Sequence, residues 1–144
     1  VIDDDTMATA SATKLATSES IKAYVDEYLL KYSGETGTFS IPVGYQYSDL
    51  DLSATVGSTR ALVVLAVVNS SAFISIFFRT KGSLAIPRGE LNYGGWGASG
   101  VTTYPGNYGG TITVITDENG VVEYTGSSAS TGISYTIQAY QKLA

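Results

Sequence analysis

The chain has 144 residues, a formal net charge of −5 and only 15% charged residues, which bounds it to about one domain with enough length to bury a core. It contains neither cysteine nor histidine, which excludes a disulfide framework, a thiolate metal site, a triad imidazole and the commonest general base. The acidic balance, without any basic stripe, speaks against nucleic acid, which is gripped through its phosphates.

Low charge together with abundant Gly, Ser, Thr and Tyr fits an all-β extracellular or particle-surface protein better than a cytosolic enzyme. The opening "VIDDDTM" has no basic n-region of a signal peptide. Because it does not start with Met, the chain reads as a fragment of something longer. Asp3, Asp4 and Asp5 allow a metal cluster multiplied by oligomerisation, or a solvated lead-in that caps "MATASATKLA". The second reading is the better one, so no metal and no cofactor is expected.

Thr17 or Ser18 can cap a helix, with Glu19 placing a negative charge in its first turn. The run "SESIKAYVDEYLLKY" then extends toward Gly34, a C-terminal stop after Lys31. Ile21, Val25, Tyr28 and Tyr32 recur at spacings of 4, 3 and 4, a packing seam that Tyr24 and Leu29 widen. A helix of about 21 Å is marginal in water by itself. No second helix follows, so the seam must bury against the β domain or against copies of itself. Flanking Lys22, Asp26, Glu27 and Lys31 fit self-association.

The stretch "DDDTMATASATKLATSESIKAYVD", residues 3–26, resembles the connector of tail fibres and tailspikes of tailed bacteriophages and their prophages. An acidic, Met-containing lead-in is followed there by "SATxLATxxSIKAYVD", matched here by Ser11, Ala12, Thr13, Leu15, Ala16, Thr17, Ser20, Ile21, Lys22, Ala23, Tyr24, Val25 and Asp26. The likeness is specific, but it covers only about a sixth of the chain. It implies a parallel homotrimer on a virion, with residues 1–34 as the helical coiled-coil stalk and 35–144 as a distal domain, often the receptor-binding tip. The seam alone selects no oligomer number.

Beyond Gly34 the sequence is β throughout. "SDLDLSATV" alternates, with Leu50, Leu52, Ala54 and Val56 on one face. "RALVVLAVV", residues 60–68, is apolar on both faces, as a central strand covered on both sides would be, and is far too short to cross a bilayer. "AFISIFFRT" sets Ile74, Ile76 and Phe78 opposite Phe73, Ser75 and Phe77, and "FISIFF" could pack against neighbouring copies. "GSLAIP" follows. "TITVITDENGVVEYTG" predicts a three-residue hairpin with Gly120 left-handed, pairing Thr116 with Val122 and Val114 with Tyr124. The last run turns Ile133, Tyr135, Ile137 and Ala139 inward. Seven or eight short strands predict a mainly β domain, an antiparallel β-sandwich or jelly roll.

Residues 92–110, "NYGGWGASGVTTYPGNYGG", hold seven glycines, the lone Trp96, Tyr93, Tyr104, Tyr108, Asn92 and Asn107. Long loops of this kind tend to be functional, and flat rings beside amides and hydroxyls suit the alternating apolar faces and hydroxyl edges of sugars. The same residues also fit a loop whose Trp plugs the end of its own sandwich. No phosphate-cradle motif is present. Glycoside hydrolysis needs two carboxylates at a fixed spacing. Asp49 and Asp51 read as solvated, Asp117 and Glu118 sit in the turn, and only Glu90, beside Arg88, borders the aromatic loop. Catalysis is not expected. Bacterial surface polysaccharide is the expected partner, alongside the chain itself. A trimerisation and folding clamp on a longer depolymerase tailspike is the alternative, and an adhesin or bacteriocin fibre shares the same physics.

Overall fold

The computed structural model describes residues 17–43, 46–70, 73–83, 98–103, 106 and 108–143, with 98 and 99 by their backbone alone. Asp3–Asp5, "GSLAIP" from residue 84 and the Arg88–Glu90 pair lie outside them. Helix α1, Ser18–Tyr28, starts at Thr17, whose hydroxyl oxygen accepts a hydrogen bond from Ser20 N at 3.1 Å. The helix is shorter than its seam predicts. Leu29 is already extended, and Lys31–Tyr32 form strand β1. Pairing with another strand supplies the hydrogen bonds that a last helical turn would have made, so Tyr32 is not on the helix.

The remaining elements are β2 (Thr36–Ile41), β3 (Ser48–Asp51), α2 (Ser53–Val56), β4 (Ala61–Asn69), β5 (Ile74–Thr80), β6 (Ala98–Thr103), β7 (Tyr108–Ile115), β8 (Val121–Gly126) and β9 (Ser130–Lys142). They build two antiparallel sheets, as the mainly β reading expects. In one, β1 and β2 share the edge of β9, followed by β4 and β7; the other runs β3, β8, β5, β6. From β2 onward each strand lies in the opposite sheet from its predecessor, except that β6 pairs with β5. Both sheets feed one core, which includes Phe39, Val63, Leu65 and Ile137 from the first and Ile76, Phe78, Val122 and Tyr124 from the second.

Alternation places most of these residues. On β5, Ile74, Ile76 and Phe78 are buried as predicted. On β4, Ala61, Val63, Leu65 and Val67 are fully buried, whereas Leu62, Val64, Ala66 and Val68 are only half-buried. The strand is central, but its second face is not sealed as expected.

The predicted 116–122 hairpin does not form. A turn exists: Gly120 N bonds Asp117 O at 3.1 Å, Gly120 has φ +81°, and Asp117 Oδ1 accepts from Asn119 N and Val121 N. However, β7 pairs with β4, while β8 pairs with β3 and β5. The turn is an arch between sheets. Ile112, Val114, Val122 and Tyr124 are all buried, but as contributions from the two sheets to one core rather than as neighbours in a ladder. Burial alone cannot tell these arrangements apart.

A second correction concerns "SDLDLSATV". Strand β3 ends at Asp51, and residues 53–56 form one helical turn. Positions 52 and 56 share a face at period 2 and nearly so at 3.6, so both Leu52 and Val56 are buried while Ala54 is exposed. Along β9, Ile133 and Ile137 point inward, and Tyr135 lies over Gly37 so closely that a Cβ there would come within 2.4 Å of its hydroxyl. Gln138 has no partner on β4, and this bulge reverses the phase. Ala139 therefore pairs with outward Val64, and Tyr140 with inward Val63.

Candidate functional site

Of the proposed sugar-binding residues, Asn92, Tyr93, Trp96, Tyr104 and Asn107 lie outside the described residues. Tyr108 is placed. It opens β7 opposite Asn69 and is 67% exposed, beside Gly106, which adopts φ +94°. A side chain at Gly106 would press on the Tyr108 ring at 3.3 Å, so the glycine leaves room for the ring. Beneath this end of the sheet, buried Asn69 donates from Nδ2 to Ser130 Oγ at 3.1 Å, and Gly106 N donates to Ser70 O. The strand end is thus fixed by polar bonds while its aromatic ring stands in solvent.

The α1 seam is only partly as expected. Ile21 and Val25 are 49% and 46% exposed, and Leu29 continues their ridge at 50%. Tyr28 instead leans on Tyr24, their rings 4.9 Å apart. The helix touches the β domain at its C-terminal end, where Gln141 Nε2 donates to Tyr28 O at 3.0 Å and Lys142 pairs with Glu27. The hydrogen bond from Lys142 Nζ holds the Glu27 carboxyl below its usual range. Lys22 and Asp26 pair along the helix.

A charged patch on the outer face of the second sheet was not singled out from the sequence. Arg79 Nε meets Glu123 Oε2 at 2.7 Å with both side chains largely shielded, and its guanidinium lies 3.4 Å from the centroid of the Tyr47 ring. Burial pushes the Tyr47 hydroxyl up, with Arg79 opposing. Glu123 stands directly opposite Asp49 on β3, and Asp49 has its own cation, Lys81. The alternation of β5 and β8 made these positions legible as outward-facing. Their partners were not, since these depend on strand order.

The other carboxylates also have structural partners. Asp51 Oδ1 accepts from Ser53 N at 2.9 Å, and bonds from the Ser53 side chain and backbone hold its carboxyl below the usual range. Asp117 organises the arch, while Glu118 is exposed in it. Among the described residues there is no cluster of three or more acidic side chains that could hold a metal ion. No helix among them is long and apolar enough to cross a membrane. Comparison of the chain with family models, with curated proteins and with solved structures finds no match.

Proposed function

We propose that this chain is the distal part of a homotrimeric phage tail fibre or tailspike, which attaches the virion to a host-surface glycan such as lipopolysaccharide or capsule. The observation that carries the reading is the half-exposed ridge of Ile21 and Val25 on α1, continued by Leu29 just past its end, directly within and after the connector-like sequence. A helix this short is marginal alone, and a ridge of three apolar side chains is stabilised by burying it against its own copies. Sedimentation should give three times the 15.1 kDa chain mass, and Val25→Glu should return single chains; a wild-type chain that sediments as one copy would end the trimer reading.

The head is a β-sandwich in this reading. The sheet orders β2-β9-β4-β7 and β3-β8-β5-β6 follow the eight-strand double Greek key of a jelly roll, an architecture that viral and lectin domains share. That likeness is one of fold alone. The site is the 92–110 segment, where Tyr108 is displayed at a strand end, and it binds rather than cleaves. Each contact is weak, and three heads per fibre multiply it. Trp96→Ala should abolish most adsorption to cells and leave the trimer intact. Unchanged adsorption would remove the segment from consideration.

One feature favours the alternative, a trimerisation and folding clamp on a longer depolymerase tailspike. Phe73 is exposed just before β5 of the second sheet, and Leu62, Val64, Ala66 and Val68 leave the first sheet with an apolar, half-buried outer face. Deleting residues 36–144 from the parent separates the two: lost trimers mean a clamp, and intact trimers that fail to adsorb mean a receptor tip.

A further inference from the structure

The arch between the sheets contains the chain's one Asn-Gly pair, Asn119–Gly120. An Asn followed by Gly is prone to attack by its own backbone, because no Cβ shields the next nitrogen. The Gly120 nitrogen adds to Cγ of Asn119, its proton leaves with the side-chain nitrogen as ammonia, and a five-membered imide ring remains. Water then opens the ring at one of its two carbonyls. One opening gives aspartate, and the other gives isoaspartate, whose main chain runs through the former side chain. No oxidant, metal or cofactor enters the balance.

In the folded chain that nitrogen is engaged. Asn119 is exposed, but Gly120 is buried, and its N–H donates to Asp117 O at 3.1 Å. Gly120 O accepts from Leu52 N at 3.0 Å, so the glycine is bonded on both sides. It also lies tight against α2: a Cβ here would come within 2.4 Å of Gly57 O and 3.0 Å of Ser53 Cα. Asp117 Oδ1 holds the neighbouring amides, accepting from Asn119 N and Val121 N at 2.9 Å each. An imide nitrogen carries no hydrogen, so the ring cannot form while Gly120 N–H bonds Asp117. Nor can that nitrogen turn toward Asn119 Cγ without moving backbone packed against both ends of α2.

We propose that Asn119 is a covalent modification site that the fold keeps latent: it deamidates through opening of the arch, with water as the only other reactant. Local opening sets the rate of such a reaction. Each hydrogen bond at Gly120 lowers the open population roughly two- to tenfold, so the closed arch suppresses the reaction tenfold or more. The isoaspartyl product adds one carbon to the main chain between residues 119 and 120. The turn that bonds Gly120 to both Asp117 and Leu52 then does not re-form, and the change is a one-way record that the arch has opened. The inference is independent of the trimer and of residues 92–110.

The test incubates the whole chain in mildly alkaline buffer and, in parallel, in urea that unfolds it, while peptide mass spectrometry follows the conversion of Asn119. Conversion should be about tenfold or more slower in buffer. Hydrogen exchange of the Gly120 and Val121 amides in the same chain measures arch opening directly. The ratio of the two conversion rates should match that protection within about threefold. Asp117→Ala removes the acceptor of two arch amides and should speed conversion in buffer about tenfold, with the rate in urea unchanged. Val67→Ala is the control. It opens the sealed core six residues along β4 from Ala61, whose carbonyl bonds Thr116 at the base of the arch, roughly 20 Å away. In that variant the rate in buffer should stay within about twofold of wild type. Equal rates in buffer and urea, no conversion in either, or acceleration by Val67→Ala as large as by Asp117→Ala would each overturn the proposal.

Discussion

The two helices present the same problem with opposite solutions. Each sets apolar side chains four residues apart: Leu52, which precedes α2, and Val56 within it; Ile21 and Val25 on α1, and Leu29 just past its end. Helix α2 is a single turn and has no stability of its own. It exists because Leu52 N donates to Gly120 O, Asp51 caps Ser53 N, and Leu52 and Val56 are sealed in the core. Helix α1 is nearly three times as long, yet about half of its ridge stays exposed. A short helix is stabilised by what its apolar face touches, and the β domain leaves about half of the α1 ridge exposed.

Substituting the same residue in both helices tests this directly. Val56→Ala opens a cavity in a sealed site and should cost about 2–3 kcal/mol in chemical denaturation. Gly120→Ala should cost about 1–3 kcal/mol, because its Cβ would come within 2.4 Å of Gly57 O at φ +81° and would lift α2 off the arch. Thr17→Ala removes the α1 cap and should cost about 1 kcal/mol of helix, read by far-ultraviolet circular dichroism. Val25→Ala, at concentrations where chains are single, should stay within about 0.5 kcal/mol while weakening association. If Val25→Ala cost as much as Val56→Ala in single chains, α1 would be docked on its own domain and the contrast would vanish.

Protonation gives the smallest effects. Burial raises the pKa of Tyr47, Tyr124 and Tyr135, so the folded state holds these protons more tightly than the unfolded one. Their contribution is complete below about pH 10 and is lost as pH climbs through the raised values. Asp51 is shifted down, so its contribution is present above about pH 4 and fades as pH falls through the lowered value. In Asp51→Asn the acid limb of a stability profile should flatten, with the alkaline limb unchanged.

What the sequence disclosed was parity. Alternation identified the inward residues of β5 and the first half of β9 but not those of β4, which is apolar on both faces, and Thr17 was one of the two capping residues expected for α1. What it could not disclose was partnership. The Asp-Glu-Asn-Gly turn is chemically the same whether it closes a ladder or arches between sheets, and the buried set 112, 114, 122 and 124 satisfies both. Leu52 and Val56 satisfy a strand and a helical turn alike, and only Ala54 distinguishes the two. The Lys31–Tyr32 strand arises from pairing with residues over a hundred positions away and the Gln138 bulge from pairing with residues over seventy positions away, beyond the reach of any local pattern. For the candidate site, the aromatic segment was legible by composition, whereas the exposed place of Tyr108 at a strand end depends on the pairing of β7 with β4.

Strand β9 borders β1, β2 and β4 at once, so the first sheet lacks its spine until residues 130–142 have left the ribosome. Earlier segments must wait with their apolar faces uncovered, and ladders between such distant segments close slowly. A polypeptide stopped before residue 130 would hold both of its N-terminal strands without anything to bind them to. Synthesis that runs through to this strand is therefore a built-in check: only copies that contain it can close the first sheet.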